Sequence, residues 1–413
     1  MFGNVTAAHS RYESLSRDEL ATLVPELLLI GQLIDRSGMA WCISNFGRAE
    51  MLQVAIEEWM GASPIYTRRM QKALKYEGVD IFTVFKGLQL DIGAPPQFMD
   101  FRYTVHDRWN GEFHLDHCGA LLDVEPMGED YVRGMCHDIE DPTFDATAVA
   151  TNRRAQIRPI HRPPRTPADR HPHCAWTVKI DESYPPVEDH PHLALVAETK
   201  AASWELAPID ASDSGESDYS GPLLADLDFA AFSHSALVRI ADEVCLQMHL
   251  LNLSFIVAVR KRADDALAKD ICTKQLTGLA GIAAERIHKA LNLPKDIEGA
   301  QRVLELHPLL NPVGYVDADV EDGRVHVRPS AAHEDGAWIS LCTPASTQSL
   351  QAIATAVDPH LAVHVTGTDT DWTLELQHSD TAAKEPSEVE VVKFSGGATF
   401  EFESRKSLPL TVV

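Results

Sequence analysis

Residues 101–118 have the sequence FRYTVHDRWNGEFHLDHC, and residues 314–330 have the sequence GYVDADVEDGRVHVRPS. In each stretch, apolar and polar residues alternate on both sides of a short polar dipeptide. The dipeptides, Asn110-Gly111 and Asp322-Gly323, are of the kind that closes a two-residue turn. Each stretch therefore predicts an antiparallel hairpin, and this pair of hairpins decides the fold that we expect for the chain.

The sequence around the two hairpins is also similar, and in the same order. The matching segments and pairs are 68–74 with 285–291, His114 with His326, Cys118 with Ser330, and Trp176 with Trp372. A likeness that keeps one order over such a length predicts an internal duplication. We therefore interpret the chain as two copies of one domain that pack together as a pseudo-dimer.

Each copy begins with helical patterns and continues with hairpins, which predicts the α+β class. We expect a tandem duplication in which each copy is a small helix bundle packed on an antiparallel sheet. The segment between the copies is rich in Pro, Ser, Asp and Glu, so we expect it to be mobile. The predicted units are a first copy over 14–182, an acidic linker over 183–228, a second, degenerate copy over 229–378, and a C-terminal strand extension over 379–413.

The chain is strongly acidic, because 36 basic and 61 acidic residues give a formal net charge of −25. Such a surface repels phosphate backbones and disfavours nucleic-acid partners. We expect no signal peptide and no membrane-spanning stretch. The seven cysteines are an odd number spread thinly along the chain, which indicates reduced thiols rather than a disulfide framework. Together these features predict a soluble cytoplasmic protein, with a homo-oligomer left open.

Three cysteines of the first copy are absent from the second. Aligned between the copies, Cys118, Cys136 and Cys174 correspond to Ser330, a position near Ile353, and Thr370. Positions that serve only the fold should look alike in both copies, whereas a site that is used once should differ. This asymmetry indicates that the segment around the three thiols has a function.

Histidine and acidic residues surround these cysteines, and thiolate, imidazole and carboxylate are the donors that zinc and iron use. We predict a divalent transition metal, zinc before others, held by Cys118, Cys136, His137 and Cys174. The candidates for acid–base catalysis beside it are His114, His117 and Asp138. Two alternatives stay open: the thiols fill the core, or one of them is a catalytic nucleophile.

An arginine-rich, proline-rich loop precedes Cys174. Six arginines lie between residues 153 and 170, where Asp169 is the one acidic residue. Arginine side chains suit carboxylates and phosphates, so we expect Arg158, Arg162 and Arg165 to bind a small anionic molecule and the loop to cover the cysteines. The alternatives are a solvated loop and a surface for a partner subunit.

The first copy resembles the L-2-amino-thiazoline-4-carboxylic acid hydrolase-like family over about residues 20–182. The resemblance rests on Cys118 at a strand end, on Cys136 followed by Asp138 on a helix, and on Cys174 at the start of an aromatic-rich strand. Glu58-Trp59 and the basic pair Arg68-Arg69 are also similar. The resemblance implies a ring-opening hydrolase, and it nominates Cys118, Cys136, Asp138 and Cys174 as site residues.

Within the sequence there is no Walker loop, no dinucleotide-binding glycine motif, no Gly-x-Ser-x-Gly and no His-Glu-x-x-His. We therefore expect a metal-dependent hydrolase or lyase that acts on a small anionic substrate through a metal-bound water. The alternative is a non-catalytic small-molecule sensor or scaffold with a structural metal site.

Overall fold

The computed structural model describes residues 9–400 and 405–413. It contains two separate four-stranded antiparallel sheets together with long helices, which confirms the α+β class. The helices are α1 (Arg17–Phe46), α2 (Arg48–Ala73), α3 (Ile81–Leu88), α4 (Gly119–Val124), α5 (Glu129–Arg133), α6 (Glu140–Val149), α7 (Pro191–Ala197), α8 (Lys200–Ser203), α9 (His234–Arg260), α10 (Asp265–Ala290), α11 (Ile297–Leu306), α12 (Ala331–Asp335), α13 (Gln348–Val357) and α14 (Ser387–Lys393). A π-helical turn, Gly134–Ile139, joins α5 to α6.

The two sheets have the same strand order, with β1 next to β2, β2 next to β4 and β4 next to β3 in the first, and the equivalent order in the second. The strands are β1 (Met99–Val105), β2 (Asn110–Cys118), β3 (Ala155–His161), β4 (Cys174–Ile180), β5 (Ala318–Glu321), β6 (Arg324–Val327), β7 (Leu361–Gly367) and β8 (Trp372–His378). Trp176 on β4 and Trp372 on β8 are both fully buried. They occupy matching places in the two sheets, as the alignment of the copies predicts.

The long helices of the two halves interleave. The helix α1 packs chiefly on α10, and α2 packs chiefly on α9, while α10 also packs closely on α13 of its own half. Their apolar faces belong to one core cluster with members from both halves, among them Leu27, Tyr66, Leu246 and Leu279. The two halves therefore share their largest core.

The hairpin turns differ from the prediction in the first copy. Asp322 and Gly323 have φ of 51° and 72°, as a two-residue turn of the expected kind requires. Asn110-Gly111, in contrast, already belongs to β2, because Gly111 pairs with Val105. The turn lies between Val105 and Gly111. There the Asp107 carboxylate accepts hydrogen bonds from the backbone N–H groups of Trp109 and Asn110 at 2.6 and 3.0 Å. An aspartate that caps its own turn outcompetes the Asn-Gly signal.

This displacement shifts the alignment of the copies by two residues within the sheet. Phe113 pairs with Trp176 and Val327 pairs with Trp372, so His114 corresponds to Arg328 rather than to His326. Cys118 and Ser330 nevertheless correspond at the helices that follow the sheets, because Cys118 is the N-cap of α4 and Ser330 is the N-cap of α12.

The segment expected to be a mobile linker packs on the rest of the protein. It contains α7 and α8, and α7 packs against α2. Tyr219 is buried and its backbone N–H donates to the carbonyl of Leu74 at 2.7 Å. After residue 379 the structure has the helix α14 where a strand extension was expected, and among the described residues the tail joins the first sheet through the isolated bridge between Val412 and Val105.

The helix α9 is long and apolar enough to cross a membrane, although we expected no membrane-spanning stretch from the sequence. Of its most apolar window, 94% is buried inside the protein. A core helix of a soluble protein has this composition, and the interleaved packing of α9 accounts for it.

Candidate functional site

The structure places Cys118, Cys136 and Cys174 in one apolar cluster under the first sheet. Cys118 ends β2 and its Sγ accepts a hydrogen bond from the backbone N–H of Leu121 at 3.4 Å. Cys136 lies in the π-helical turn, and Cys174 opens β4 opposite Leu115. All three side chains are buried, and all seven cysteines of the chain are free thiols.

Burial disfavours the ionised form of these thiols. It raises the pKa of Cys118 to about 12 and those of Cys136 and Cys174 well above their ordinary value, and the nearby carboxyl of Glu140 adds to each increase. Metals bind the thiolate rather than the thiol. Within residues 9–400 and 405–413, no three Cys, His, Asp or Glu side chains are grouped so that they could hold a metal ion.

The other predicted catalytic residues lie apart from the thiols. His114 sits on the partly exposed face of β2 with its Nε2 3.5 Å from the Asp116 carboxylate. The ring of His117 stacks on Phe400 with 3.8 Å between centroids, and Asp138 is exposed. His137, a predicted metal ligand, places its Nε2 2.7 Å from the carbonyl oxygen of Pro163 in the arginine-rich loop.

The three predicted substrate-binding arginines each pair with a carboxylate of the same half. Arg158 pairs with Asp145 at 2.8 Å, Arg165 makes two hydrogen bonds of 2.9 Å to Glu125, and Arg162 pairs with Asp141. Arg162 alone of these three approaches the cysteines: its guanidinium lies 5.8 Å from the ring centroid of Trp176, and its charge lowers the pKa of Cys136 and Glu140. The loop therefore reaches the cluster through Arg162 and Pro163.

A cavity of about 80 Å³ lies beside the cysteine cluster, between the long helices and the π-helical turn. Its volume is several times that needed for one water molecule, so a small organic molecule fits. Most of its wall is apolar or aromatic, with a few polar groups. The lining residues are Gln32, Asp35, Trp59, Tyr66, Leu88, Asp91, Gly93, Ala94, Met99, Ala120, Met135, Ile139, Glu140, Thr143, Phe144 and Thr147.

Three buried carboxyl groups face this cavity. Asp91 is held in place, because its Oδ1 accepts hydrogen bonds from the Tyr66 hydroxyl at 2.8 Å and from the Gly93 N–H at 2.7 Å. Asp35 Oδ1 and Glu140 Oε2 have no hydrogen-bond partner among the described residues. Behind the wall, Glu58 is fully buried and both of its carboxyl oxygens are likewise unpartnered in the described part of the chain.

Burial separates the acids of the cavity into two groups. It raises the pKa of Glu140 to about 8, and it raises the pKa of Asp35 and of Asp91 to about 6. Burial and the nearby Asp35 also raise the pKa of Glu58 well above its ordinary value. At neutral pH, Glu140 therefore keeps its proton while Asp35 and Asp91 are mostly ionised. A pair of groups separated in this way supplies a proton donor and a proton acceptor in one place.

The π-helical turn connects the cysteines to the cavity. Met135 and Ile139 of this turn line the cavity, and Glu140 follows directly after it. Cys136, one turn before Glu140, packs into the core instead. Single π-helical turns inside α-helical segments are frequent at functional sites, and here the turn sets the direction of Glu140.

The second copy replaces the acids by uncharged residues. Counted from the matching helix caps Ser16 and Ser233, Asp35 corresponds to Asn252; counted from the starts of α2 and α10, Glu58 corresponds to Gln275. Asp91 follows the Leu-x-Leu end of its short helix, and His307 follows the equivalent Leu-x-Leu in the second copy. The comparison of copies that drew attention to the cysteines thus identifies these acids as well.

We did not predict a site role for Asp35, Asp91 or Glu140 from the sequence. Glu58 entered only through the family resemblance, without a role of its own. In an acidic chain of 61 Asp and Glu residues, a carboxylate on a helix is not conspicuous. The signal that could have found two of them is the exchange of Asp35 and Glu58 for the corresponding amides within otherwise similar helices.

No family model, no curated protein and no solved structure matches this chain. The resemblance to the L-2-amino-thiazoline-4-carboxylic acid hydrolase-like family stays a prediction.

Proposed function

We propose that the protein is a hydrolase or lyase that transforms a small molecule in the acid-lined cavity by general acid–base catalysis. The observation that carries this proposal is the presence of buried carboxyl groups with separated pKa values on the wall of one cavity. Acids with such separated values are typical of sites where one group donates a proton and another accepts one.

Glu140 is the proposed proton donor, because its pKa of about 8 keeps it protonated at neutral pH. Asp91 is the proposed proton acceptor: Tyr66 and Gly93 fix one of its oxygens and leave the other for the substrate. A base that is oriented by a third group is a recurrent arrangement in catalysis. Phe144 and Met99 give the wall an apolar surface, which lowers the local dielectric constant and strengthens the electrostatic interactions inside the cavity.

The metal-dependent form of this proposal places a divalent transition metal, zinc first, on Cys118, Cys136, His137 and Cys174. In the described part of the chain these side chains are not grouped so that they could hold a metal ion, and the Nε2 of His137 lies 2.7 Å from the carbonyl oxygen of Pro163, so that donor set is not assembled in the present conformation. No step of the proposed catalysis is assigned to a metal. The cysteines act instead as the packed support behind the π-helical turn that aims Glu140.

The expected compartment, the expected absence of nucleic-acid partners and the charge of the substrate also belong to this proposal. Seven free thiols favour a reducing compartment such as the cytoplasm, and the net charge of −25 disfavours nucleic-acid partners. An anionic substrate is less well supported, because Arg158, Arg162 and Arg165 are each already paired with a carboxylate.

The test is a screen of the purified protein against small esters, amides, cyclic amides and elimination substrates, followed by variants. Asp91→Asn and Glu140→Gln should each reduce turnover at least a hundredfold, the order of magnitude of a lost general acid or base. Asp242→Asn is the matched control, since Asp242 is also a buried carboxyl with a pKa raised to about 7 but lies on α9 outside the lining. Turnover that survives both cavity variants overturns the proposal, and saturable binding without turnover would favour the small-molecule sensor.

A further inference from the structure

The wall of the cavity combines acidic and aromatic groups and, among the described residues, has no basic side chain. The nearest arginine along the chain, Arg36, lies 3.6 Å from the Asp123 carboxylate outside the lining, although its charge still lowers the pKa of Asp35. The rings of Trp59, Tyr66 and Phe144 supply aromatic surface. Carboxylates together with aromatic faces are the combination that retains organic cations.

Two acceptor oxygens on this wall lack partners in the described structure. They are Asp35 Oδ1 and Glu140 Oε2, and each belongs to a residue that is more than nine-tenths buried. A buried acceptor without a hydrogen bond costs free energy unless something donates to it. A ligand that carries N–H groups would satisfy both oxygens at once.

The fold does not require these acids. In the second copy, Asn252 stands where Asp35 stands and its Nδ2 donates to Gln275 Oε1 at 2.9 Å. This amide pair makes a hydrogen bond without a charge, in the equivalent place between α9 and α10, although Asn252 Oδ1 has no partner in the described part of the chain. The first copy keeps carboxyl groups there at the expense of burial, which is reasonable where a ligand supplies the opposite charge.

We propose that the substrate of this cavity is a small organic cation, such as a protonated alkylamine, whose ammonium group pairs with the Asp35 carboxylate and donates a hydrogen bond to the unpartnered Oε2 of the neutral Glu140 carboxyl. Its hydrocarbon part contacts Trp59 and Phe144. This inference rests on the proposed function for its site, and it leaves Asp91 as the proton acceptor. It replaces the anionic substrate that the arginine-rich loop suggests.

The experiment uses three probes of nearly equal size and different charge: n-butylammonium, butan-1-ol and butyrate. Binding to the full-length protein is measured by calorimetry and by the shift in Tm at pH 7. We expect n-butylammonium to bind at least tenfold more tightly than butan-1-ol and butyrate to bind more weakly still. Butyrate binding as tightly as n-butylammonium, or no binding of any probe, overturns the inference.

The variant Asp35→Asn should weaken n-butylammonium at least tenfold and leave butan-1-ol unchanged, because it removes charge without changing size. If that variant folds poorly, the double variant Asp35→Asn/Glu58→Gln copies the amide pair of the second copy and serves in its place. Asp242→Asn is the control and should bind all probes as the parent does. Unchanged n-butylammonium binding in the Asp35 variants also overturns the inference.

The two proposals fail separately. Charge-selective binding that depends on Asp35, together with turnover that is indifferent to Asp91 and Glu140, overturns the proposed catalysis alone. Turnover that requires Asp91 and Glu140, without selective binding of the cation, overturns the substrate class alone.

Discussion

The side-chain amide of Asn252 donates to that of Gln275 at 2.9 Å, at the two positions that Asp35 and Glu58 occupy in the first copy. Equivalent places in the duplicated bundle thus hold a hydrogen-bonded neutral pair in one half and two acids in the other. Because the surrounding helices are alike, the comparison isolates the effect of charge from the effect of fold. The second copy shows that Asn and Gln at these two positions are compatible with the backbone, so Asp35→Asn and Glu58→Gln are suitable test substitutions.

The double variant Asp35→Asn/Glu58→Gln should raise the free energy of unfolding at pH 8 by about 2 to 3 kcal/mol, since it removes buried groups whose charged forms are destabilised. Urea unfolding measures the change. The reciprocal variant Asn252→Asp/Gln275→Glu should lower stability under the same conditions. Equal stability of the parent and both variants would mean that the acids are not buried as the structure places them.

Stability should fall as pH rises. Glu140 has a pKa of about 8 in the folded protein against an ordinary 4.5, so its stabilising contribution is complete below pH 4.5 and is lost as pH approaches 8. Asp35 and Asp91 act in the same direction between about pH 4 and 6. Glu140→Gln should flatten the decline between pH 6 and 8 by about 1 to 3 kcal/mol. A stability curve of the same shape in the parent and in this variant would refute the raised pKa.

Where turnover is found, kcat/KM should depend on pH as a bell. The rising limb reports ionisation of Asp91 near pH 6, and the falling limb reports loss of the Glu140 proton near pH 8. Asp91→Asn should abolish the acidic limb in whatever activity remains. A profile that is flat from pH 5 to 9 contradicts the assignment of both roles.

Arg162 provides a test of how the arginine-rich loop influences the site. Its charge lowers the pKa of Glu140, so Arg162→Ala should move the titration of the Glu140 carboxyl to higher pH. Carbon NMR of the labelled carboxyl follows this directly and needs no substrate. Arg158→Ala is the control, because Arg158 pairs with Asp145 and does not contribute to the pKa of Glu140. A shift of equal size in both variants would show that the effect is not local.

Elemental analysis decides whether the cysteines hold a metal. The metal hypothesis predicts about one zinc per chain, lost in Cys118→Ser and Cys174→Ser. The absence of a grouped donor set among the described residues favours the other outcome, in which the parent contains far less than one metal per chain. In that case Cys136→Ser should still destabilise the fold by about 1 to 2 kcal/mol, because it buries a hydroxyl in an apolar cluster. A stoichiometric metal in protein prepared without chelators would restore the sequence-based prediction.

Much of the architecture was accessible from the sequence. Alternating residues around the two hairpins and the tryptophans at matching strand positions identify the α+β copies, since these patterns follow from local strand geometry. The position of the first turn was not accessible from the Asn-Gly pattern alone, because the Asp107 side chain forms the turn through contacts that compete with it.

The site was less accessible than the fold. The cysteines of the predicted site share one apolar core, but the cavity beside them is built from α1, α2, the loop at Asp91 and the π-helical turn, which are remote in sequence. Whether Asp35 or Glu140 faces solvent or a cavity depends on how these elements pack. The spacing of residues within one helix contains little information about that packing.

Because α1 pairs with α10 and α2 pairs with α9, the first half needs the second half to fold. This holds even though the second half has amides in place of Asp35 and Glu58. A fragment that ended after β4 would leave the apolar faces of α1 and α2 in water, and exposed faces of that size promote aggregation. Selection for solubility is therefore enough to preserve the second half. The second half thus serves as the permanent folding partner of the half whose residues line the cavity.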